Sequence, residues 1–317
     1  MTAQRCLRCQ MPLEPDATDY HASCARELFG ASEPPELDDF QKPLEQFALQ
    51  LIQSQSTITG AQPKLSLQLS RPSHNARGRL TVVGLWWDFI LKPQTPKYPE
   101  LPEVEALTML LASIAGIETA ACGLIRIGGD SRRAYITRRM DRVKGGKLAM
   151  EDFCQLTEKL TEHKYRGSYE QVARAILRHS SVPGLDVLNF CEVVLFSFLT
   201  GNADMHLKNF SLIEKPELGM GLAPAYDLVN TALVNPADNE EMALSLNGRR
   251  NKIRRTDFEA AFEAAGLTTA QQRNLFGKMA DAVPRWQSAI ATSFLSPESR
   301  GKYWAIVEER TKRLGLV

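Results

Sequence analysis

The feature that most constrains this chain is a short polar run, Gly201-Asn-Ala-Asp-Met-His-Leu-Lys-Asn209, which is followed by Tyr226-Asp-Leu228. The run places a carboxylate at Asp204 and a carboxamide at Asn209, and the second motif adds a carboxylate at Asp227. Phosphoryl transfer needs one carboxylate to accept or orient a hydroxyl proton, and hard oxygen ligands to hold Mg²⁺ on nucleotide phosphates. The spacing matches the Asp-x4-Asn and downstream Asp of kinase catalytic machinery. Because one such match arises often by chance, the prediction depends on residues upstream.

The chain as a whole has the composition of an ordinary globular protein, and its 317 residues allow one large two-lobed domain or two smaller ones. A formal net charge of +1 argues against binding nucleic acid or anionic membrane through charge alone. The first nine residues are polar and predict no secretory signal. The apolar stretch Leu185 to Leu199 is interrupted by Asn189 and Glu192 and is shorter than the ~20 residues that span a bilayer. We therefore expect a cytoplasmic protein whose cysteines are thiols or metal ligands.

Residue patterns divide the chain into an N-terminal Cys/His segment and linker over 1–43, a strand-rich part over 44–142 and a helical part over 143–317. Strand patterns cover Leu65 to Leu69, Leu80 to Leu91 and residues 122–138, and a helix is expected from Pro102 to Ala115. Helical apolar spacing recurs over Tyr169 to His179, Leu185 to Thr200, Asp257 to Ala265, Thr269 to Ala282, and after Pro297. Strands followed by helices predict an α+β fold.

The N-terminal segment contains two close pairs of soft ligands, Cys6-x2-Cys9 and His21-x2-Cys24. Tetrahedral Zn²⁺ suits this arrangement, because each pair can clamp the ion from one side. A segment this short buries no core of its own, so a metal would supply its folding energy. The sequence therefore indicates a zinc knuckle, and unmetallated thiols in a strand-turn segment remain the alternative.

Three upstream features follow the order that a kinase needs. The small-residue loop from Ser56 to Lys64, with Gly60, can bring backbone N–H groups close to phosphate oxygens, although an ordinary hairpin turn has the same composition. Lys92 ends an apolar strand, as the phosphate-binding lysine of kinases does, and Glu105 on the next helix is its expected partner.

Glu103 competes with Glu105 for that lysine, but it lies two positions away and faces elsewhere on the helix. The segment from Arg138 to Met140 stands where a hinge would contact adenine, and a charged turn after a strand would look the same. Together these features occur by chance far less often than any one of them.

At this point the chain resembles a known family, the HipA serine/threonine-kinase toxins of bacterial toxin–antitoxin systems. The resemblance covers roughly residues 50–317, and its most specific part is Asn-x-Asp-x-His-x-x-Asn within Gly201 to Phe210. The other matching motifs are Ile58-Thr-Gly-Ala-Gln-Pro-Lys64, Phe89-Ile-Leu-Lys-Pro93, Arg139-Met-Asp-Arg142 and Ala225-Tyr-Asp-Leu228. The chain is most similar to the short form found in three-component HipBST systems. The resemblance implies a two-lobed protein-kinase-like fold with a strand-rich N-lobe and an all-helical C-lobe.

The family pattern implies a role for each matching residue, with ATP and Mg²⁺ as cofactors. Asp204 would be the catalytic base, Asn209 and Asp227 the Mg²⁺ ligands, and Lys92 a contact to the nucleotide phosphates. His206 would shape the catalytic loop, although a packed structural histidine is an equal alternative.

The family autophosphorylates on a serine in the loop before Gly60. This chain has Thr57 and Thr59 at the matching positions, with Ser56 adjacent, so three hydroxyls are candidates. A phosphate there would add roughly −2 charge and could expel the loop from the ATP pocket.

The resemblance also implies partners. Family members phosphorylate a serine on a translation component, with aminoacyl-tRNA synthetases as targets, and are neutralised by a helix-turn-helix antitoxin. A third small protein would supply the N-terminal subdomain that the long form of the family carries. DNA would be contacted only through the antitoxin, since this chain shows no helix-turn-helix motif.

Two other functions remain open. A small-molecule kinase would share the catalytic spacing, and growth arrest on expression would separate it from a toxin. A non-catalytic pseudokinase or binding module would be expected to lack one of four residues, and all four are present: Lys92, Asp204, Asn209 and Asp227.

Overall fold

The computed structural model describes residues 4–37, 64–70, 78–83, 88–127, 132–143 and 146–317, with the side chains of 82 and 83 excepted. The chain divides into two compact units. The first comprises Met1–Ala106, Ala120–Arg142 and Thr292–Phe294, and the second comprises Leu107–Thr119, Val143–Ala291 and Leu295–Val317. The division into 1–43, 44–142 and 143–317 stays a prediction, because compactness alone does not show which segments fold independently.

The first unit is built on a six-stranded sheet with the strand order β1-β3-β2-β4-β6-β5. Its strands are β1 (Glu36–Leu37), β2 (Leu65–Ser70), β3 (Arg79–Val83), β4 (Phe89–Lys92), β5 (Cys122–Arg126) and β6 (Arg133–Arg138). All neighbours pair antiparallel except β1, which runs parallel to β3. A helix, α1 (Ala22–Phe29), precedes the sheet in the chain.

Alternating apolar residues explain the central strands of this sheet. Leu65 and Leu67 on β2 are buried, and they pair with Leu91 and Phe89 on β4, which are buried as well. Side chains of a strand alternate between the two faces of the sheet, so these four line one apolar face. Lys92 follows Leu91 at the end of β4, where the strand delivers it to the opposite face.

A helix, α2 (Leu101–Ile114), begins in the first unit and continues into the second. It ends where Gly116 adopts a left-handed φ of 77°, a conformation that glycine reaches without the steric cost of a Cβ. The position of this helix and its glycine stop agree with the sequence prediction.

The second unit is mainly helical. Its helices after α2 are α3 (Phe153–Leu156), α4 (Tyr169–His179), α5 (Pro183–Leu199), α6 (Thr231–Val234), α7 (Arg255–Ala264), α8 (Thr269–Ala291) and α9 (Pro297–Arg313). Short 3₁₀ turns occupy Thr161–His163 and Leu207–Asn209. Helix α5 is buried nearly all round, as expected for the centre of a core. No helix in the described ranges combines the length and apolarity needed to cross a membrane.

The expectation of an all-helical C-terminal part is wrong in one respect. Strands β7 (Arg142–Val143) and β8 (Gly146–Lys147) form a two-stranded ribbon, and a three-stranded sheet has the order β11-β10-β9. Its strands are β9 (Met150–Asp152), β10 (Ser211–Lys215) and β11 (Gly219–Leu222). These strands are short, and β10 directly follows the polar run. Their alternation of apolar and polar residues therefore extends over too few residues to predict strands from the sequence.

Helix α8 also extends beyond its predicted end at Ala282, through Pro284 to Ala291. Trp286 lies on this extension, fully buried, and donates from its indole nitrogen to the carbonyl of Leu111 at 2.9 Å. Burial of this large side chain outweighs the local cost of an internal proline.

Candidate functional site

The polar run begins where α5 ends, and its first residue has to be glycine. Gly201 adopts a left-handed φ of 77°. A Cβ at this position would lie 2.6 Å from Oδ1 of Asn230, closer than non-bonded atoms approach. The side chain of Asn230 in turn accepts from the N–H of Leu233 and caps α6. The glycine therefore lets the run turn tightly against a helix cap.

Helix α6 fixes the next residues of the run. The N–H of Ala203 donates to the hydroxyl of Thr231 at 2.8 Å, and the N–H of Ala232 donates to the carbonyl of Gly201 at 3.0 Å. Within the run, Oδ1 of Asn202 accepts from the N–H of Asp204 at 3.1 Å. These bonds satisfy the backbone of a buried loop, which would otherwise be costly to leave unpaired.

Asp204 and Asn209 are joined through the carbonyl of Asp204. This oxygen accepts from the N–H of His206 at 2.8 Å and from Nδ2 of Asn209 at 2.9 Å. Because the amide of Asn209 uses its nitrogen for this bond, its Oδ1 is the atom that can ligate a cation. The loop thus holds a carboxylate and a hard amide oxygen in one small ring of hydrogen bonds.

The side chain of Asp204 is 40% exposed, and one of its oxygens is bound by a tyrosine. The hydroxyl of Tyr165 donates to Oδ1 of Asp204 at 2.5 Å. Burial, reinforced by the Asp204 charge, raises the pKa of Tyr165 above its ordinary value, so the phenol keeps its proton. Oδ1 is therefore occupied in this conformation, while the carboxylate stays accessible to solvent.

His206 is buried between these groups. Its Nε2 lies 3.9 Å from Oδ1 of Asp204, and its ring meets the Tyr165 ring edge-on at a centroid distance of 4.9 Å. Burial lowers the pKa of His206 below its ordinary value, and the carboxylates of Asp204 and Asp227 oppose the shift without cancelling it. The imidazole is therefore neutral near pH 7 and packs against the Tyr165 ring beside the loop.

Asp227 is held by its neighbours in an unusual backbone conformation. Its φ is 58°, a left-handed value that is uncommon for a residue other than glycine. The hydroxyl of Tyr226 donates to the carbonyl of Lys208 at 3.1 Å, and the N–H of Ala225 donates to the carbonyl of Glu118 at 2.8 Å. The segment is thus anchored on both the polar run and the chain after α2, which fixes where Asp227 stands.

In the first unit, Lys92 forms an ion pair with Glu105. The two atoms, Nζ and Oε1, are 2.5 Å apart, and both side chains are almost fully buried. The ammonium also lies 5.3 Å from the centroid of the Tyr135 ring, which pairs with Lys92 across β4 and β6. Glu103 instead binds Nε of Arg133 at 2.8 Å. The structure therefore joins Lys92 to Glu105 and gives Glu103 a different cation.

For the other predicted nucleotide-binding residues, the structure gives their position and exposure. Lys64 is exposed just before β2, Arg138 is exposed at the end of β6, and Met140 is half-buried in the turn that follows. The remaining candidates lie outside the described residues: Ser56, Thr57, Thr59 and Gly60.

The four candidate zinc ligands are brought together. The ligand atoms of Cys6, Cys9, His21 and Cys24 all lie within 4.8 Å of one another. The thiols are free, and Cys6 and Cys24 are buried. The described part of the chain thus contains one cluster of metal-binding groups that the sequence spacing had indicated.

Comparison with known proteins decides the family. The model of the HipA-like C-terminal domain matches residues 56–287, which is most of the chain and contains the whole polar run. The chain belongs to the HipA-like family. The HipA resemblance noted in the sequence is thereby confirmed.

Among its relatives, a putative kinase of Sinorhizobium fredii, Y4mE, is 31% identical over 72% of this chain and 56% of that protein. The serine/threonine-protein kinase toxin HipA of Shewanella oneidensis is 28% identical over 67% of this chain and 52% of that protein. This HipA-like chain spans about half the length of the curated relatives that it matches.

Solved structures show the same fold. The HipA chain in a complex of HipA, HipB and operator DNA from Shewanella oneidensis superposes with a TM-score of 0.66 at 22% identity, covering 81% of this chain and 64% of that one. The Helicobacter pylori proinflammatory kinase CtkA gives a TM-score of 0.53 at 14% identity, covering 74% and 90%. The predicted α+β, kinase-like fold is therefore confirmed for this HipA-like protein.

Sequence reasoning missed Tyr165, which no motif marks. It lies after the 3₁₀ turn Thr161–His163, far from Asp204 in sequence. The sequence offers only an isolated aromatic residue between Lys164 and Arg166. Its link to the catalytic run depends on tertiary packing, which residue spacing does not reveal.

Proposed function

We propose that this protein is an ATP-dependent serine/threonine protein kinase that acts as the toxin of a toxin–antitoxin system. The observation that carries the proposal is the braced loop in which Nδ2 of Asn209 donates to the carbonyl of Asp204, so that the Oδ1 of Asn209 is the atom of its side chain that could ligate a cation. That arrangement, followed by Asp227, offers one carboxylate as a base and two hard oxygens for a cation. The HipA toxin of Shewanella oneidensis, named as a serine/threonine-protein kinase, supports the same assignment.

In this proposal Asp204 accepts the proton of the substrate serine as its oxygen attacks the γ-phosphorus of ATP. A new O–P bond forms on the serine, the bond to the leaving ADP oxygen breaks, and the serine proton passes to the Asp204 carboxylate. Asn209 and Asp227 would hold Mg²⁺, which supplies charge neutralisation for the phosphates when bound. Lys92, oriented by Glu105, would bind the α- and β-phosphates.

We propose further that the kinase phosphorylates itself and acts in the cytoplasm. Ser56, Thr57 and Thr59 are the candidate sites of autophosphorylation, within a loop that would be regulated by the added charge. Because the phosphoryl donor is ATP, the protein is expected to act in the cytoplasm. A structural Zn²⁺ at the N-terminal Cys/His cluster completes the set of cofactors.

The substrate is proposed to be a serine on a translation component, with an aminoacyl-tRNA synthetase as the first candidate. A helix-turn-helix antitoxin is the proposed neutralising partner, and DNA would be reached through it. The complex of HipA with HipB and operator DNA in Shewanella oneidensis supports this choice of partner. A third small protein in the complex stays a prediction.

Induced expression tests the function in cells. Wild type should arrest growth and produce a new phosphoserine on a translation component, while Asp204→Asn, which keeps the shape of the side chain but removes the base, should do neither. Equal arrest by both proteins would show that toxicity does not depend on phosphoryl transfer. Unarrested growth, with phosphate transferred only to a metabolite, would favour a small-molecule kinase.

A further inference from the structure

The N-terminal Cys/His cluster has the dimensions of a tetrahedral zinc site. With Zn–S near 2.3 Å and Zn–N near 2.0 Å, a tetrahedron has S···S edges of about 3.8 Å and S···N edges of about 3.5 Å. Nδ1 of His21 lies 3.3 Å from Sγ of Cys9 and 3.8 Å from Sγ of Cys24. All four ligand atoms, including Sγ of Cys6, fall within 4.8 Å of one another.

The hydrogen bond of the other ring nitrogen of His21 also supports a zinc site. Nε2 lies 2.9 Å from the carbonyl oxygen of Pro12. A carbonyl can only accept, so Nε2 carries the proton, and the lone pair of Nδ1 points at the thiols. Metal-binding histidines are commonly oriented in this way by a backbone carbonyl on the far nitrogen.

The backbone between the first two cysteines forms a knuckle. The N–H of Gln10 donates to the carbonyl of Cys6 at 2.9 Å, and the N–H of Cys6 donates to the carbonyl of Met11 at 2.9 Å. Gln10 reverses the chain with a left-handed φ of 62°. This turn directs Sγ of Cys6 and Sγ of Cys9 to the same side, where His21 and Cys24 meet them.

The knuckle also covers an open strand of the sheet in its own unit. Strand β5 is the last in the order β1-β3-β2-β4-β6-β5, so one of its edges has no strand partner among the residues that the structure describes. On that edge the N–H of Leu124 donates to the carbonyl of Leu7 at 2.8 Å, and the hydroxyl of Tyr20 donates to the carbonyl of Leu124. Arg126 adds an ion pair to Asp19 at 2.7 Å.

The approach of the two backbones is close enough to favour a glycine. A Cβ on Gly123 would lie 3.3 Å from Cα of Arg8 and 3.3 Å from the carbonyl oxygen of Leu7. The Leu7 N–H is held in turn by the carbonyl of Asp19 at 2.7 Å. The residues that cap β5 therefore alternate along the chain with the residues of the Cys/His cluster.

We propose that Cys6, Cys9, Nδ1 of His21 and Cys24 bind one structural Zn²⁺, and that this ion fastens the N-terminal segment onto the open edge of β5. Residues 4–30 are too few to bury a core of their own, so the metal supplies the energy that keeps them folded. With the metal in place the segment pairs the backbone groups of Leu124, which an uncovered edge would present to other chains.

Metal content gives the first test. Protein purified with added zinc and then desalted should carry one zinc per chain by native mass spectrometry. Cys9→Ser and His21→Ala should each lose it, whereas His21→Cys, which offers a fourth thiolate, should keep it. Cys154→Ser, at a buried cysteine outside the cluster, is the matched control and should also keep one zinc. A wild type without metal, or a Cys9→Ser variant with an undiminished zinc content, would overturn the site.

Hydrogen exchange tests the fastening role on the full chain and does not depend on kinase activity. Removing zinc from the wild type with a chelator should speed exchange of peptides covering β5 by about tenfold or more, because the Leu124 amide loses its acceptor. Peptides from α4 in the other unit should be unchanged, and added zinc should restore protection. If β5 exchange is the same with and without bound zinc, the metal does not fasten the edge. A Cys6–Cys9 disulfide in place of zinc would overturn the metal site itself.

Discussion

The hydroxyl of Tyr165 and Oδ1 of Asp204 form a 2.5 Å hydrogen bond, which leaves Oδ2 as the other oxygen of the candidate base. A tyrosine in this position limits the rotation of the carboxylate and directs its second oxygen. If Asp204 accepts the serine proton, Tyr165 positions the base and does not itself react. The relationship makes the role of Tyr165 open to a direct kinetic test.

Tyr165→Phe should lower kcat about tenfold with little change in KM for ATP. A hydrogen bond to a charged group is worth roughly 1.5–3 kcal/mol, and the variant keeps the ring that packs on His206. Steady-state kinetics with a protein substrate measure the effect. Tyr98→Phe, in the other unit, is a control for loss of a hydroxyl. An unchanged kcat would show that Tyr165 does not position the base.

Replacing Glu105 should harm the first unit more than replacing Glu103. Removing one member of a buried ion pair commonly costs about 3–5 kcal/mol, because the remaining charge is left buried without its partner. Glu105→Gln should therefore lower the free energy of unfolding by about 3 kcal/mol. Glu103→Gln should lower it by less, because the partner of Glu103 is Arg133, whose side chain is 24% exposed and keeps access to water when the pair is lost. Denaturant titration compares the two variants. A larger loss for Glu103→Gln would contradict the pairing of Lys92 with Glu105.

Gly201→Ala should destabilise the second unit by about 1–3 kcal/mol, because a Cβ would meet Oδ1 of Asn230 at 2.6 Å and the φ of 77° is strained for alanine. Phosphoryl transfer should fall as well, since the loop that carries Asp204 must shift. Gly277→Ala is the matched control: it lies inside α8 with no atom within 4 Å of the added Cβ. That variant should be neutral or up to about 1 kcal/mol more stable. If thermal unfolding shows Gly277→Ala to be less stable than Gly201→Ala, the close approach between residue 201 and Asn230 is refuted.

The lowered pKa of His206 predicts a dependence of stability on pH. The unfolded state binds a proton near the ordinary value of 6.5, while the folded state binds it only at lower pH. Below pH 6.5 the unfolded state therefore holds more protons, and stability falls as the pH falls, by at most about 1.4 kcal/mol per pH unit from this group.

Denaturant titrations at pH 7.5 and 5.5 measure this slope. His206→Gln should reduce the difference between the free energies of unfolding at the two pH values. An equal pH dependence in wild type and His206→Gln would show that His206 is not buried in its neutral form.

The sequence was sufficient for the parts of the fold that local patterns dictate. Helix α2 and its stop at Gly116 follow from apolar spacing and a glycine, and the alternation of Leu65 and Leu67 predicts β2. The small sheet around β10 was missed, because its strands are too short to carry a period. Helix α8 ran further than predicted, since burial of Trp286 overrides the break that Pro284 suggests.

In the candidate site, too, local features could be predicted from the sequence and tertiary contacts could not. The spacing of Asp204 and Asn209 is local, so the sequence could indicate that the two side chains share one loop. The contact of Tyr165 with Asp204 joins residues 39 positions apart, and no local pattern links them. Asp227, with its left-handed φ, likewise lies in a segment that hydrogen bonds of Tyr226 and Ala225 anchor to distant parts of the chain, and no local pattern reveals these bonds.

Transfer of the γ-phosphate from radiolabelled ATP to protein, in the presence of Mg²⁺, tests the central claim most directly. The purified wild type should label itself or a protein of a bacterial lysate. Asp204→Asn, folded to the same extent, should label at least about a hundredfold more slowly, as expected when a general base is removed. Equal labelling by the two proteins would show that Asp204 is not the base. No labelling by a wild type that binds Mg-ATP would contradict the assignment of this HipA-like protein as a kinase.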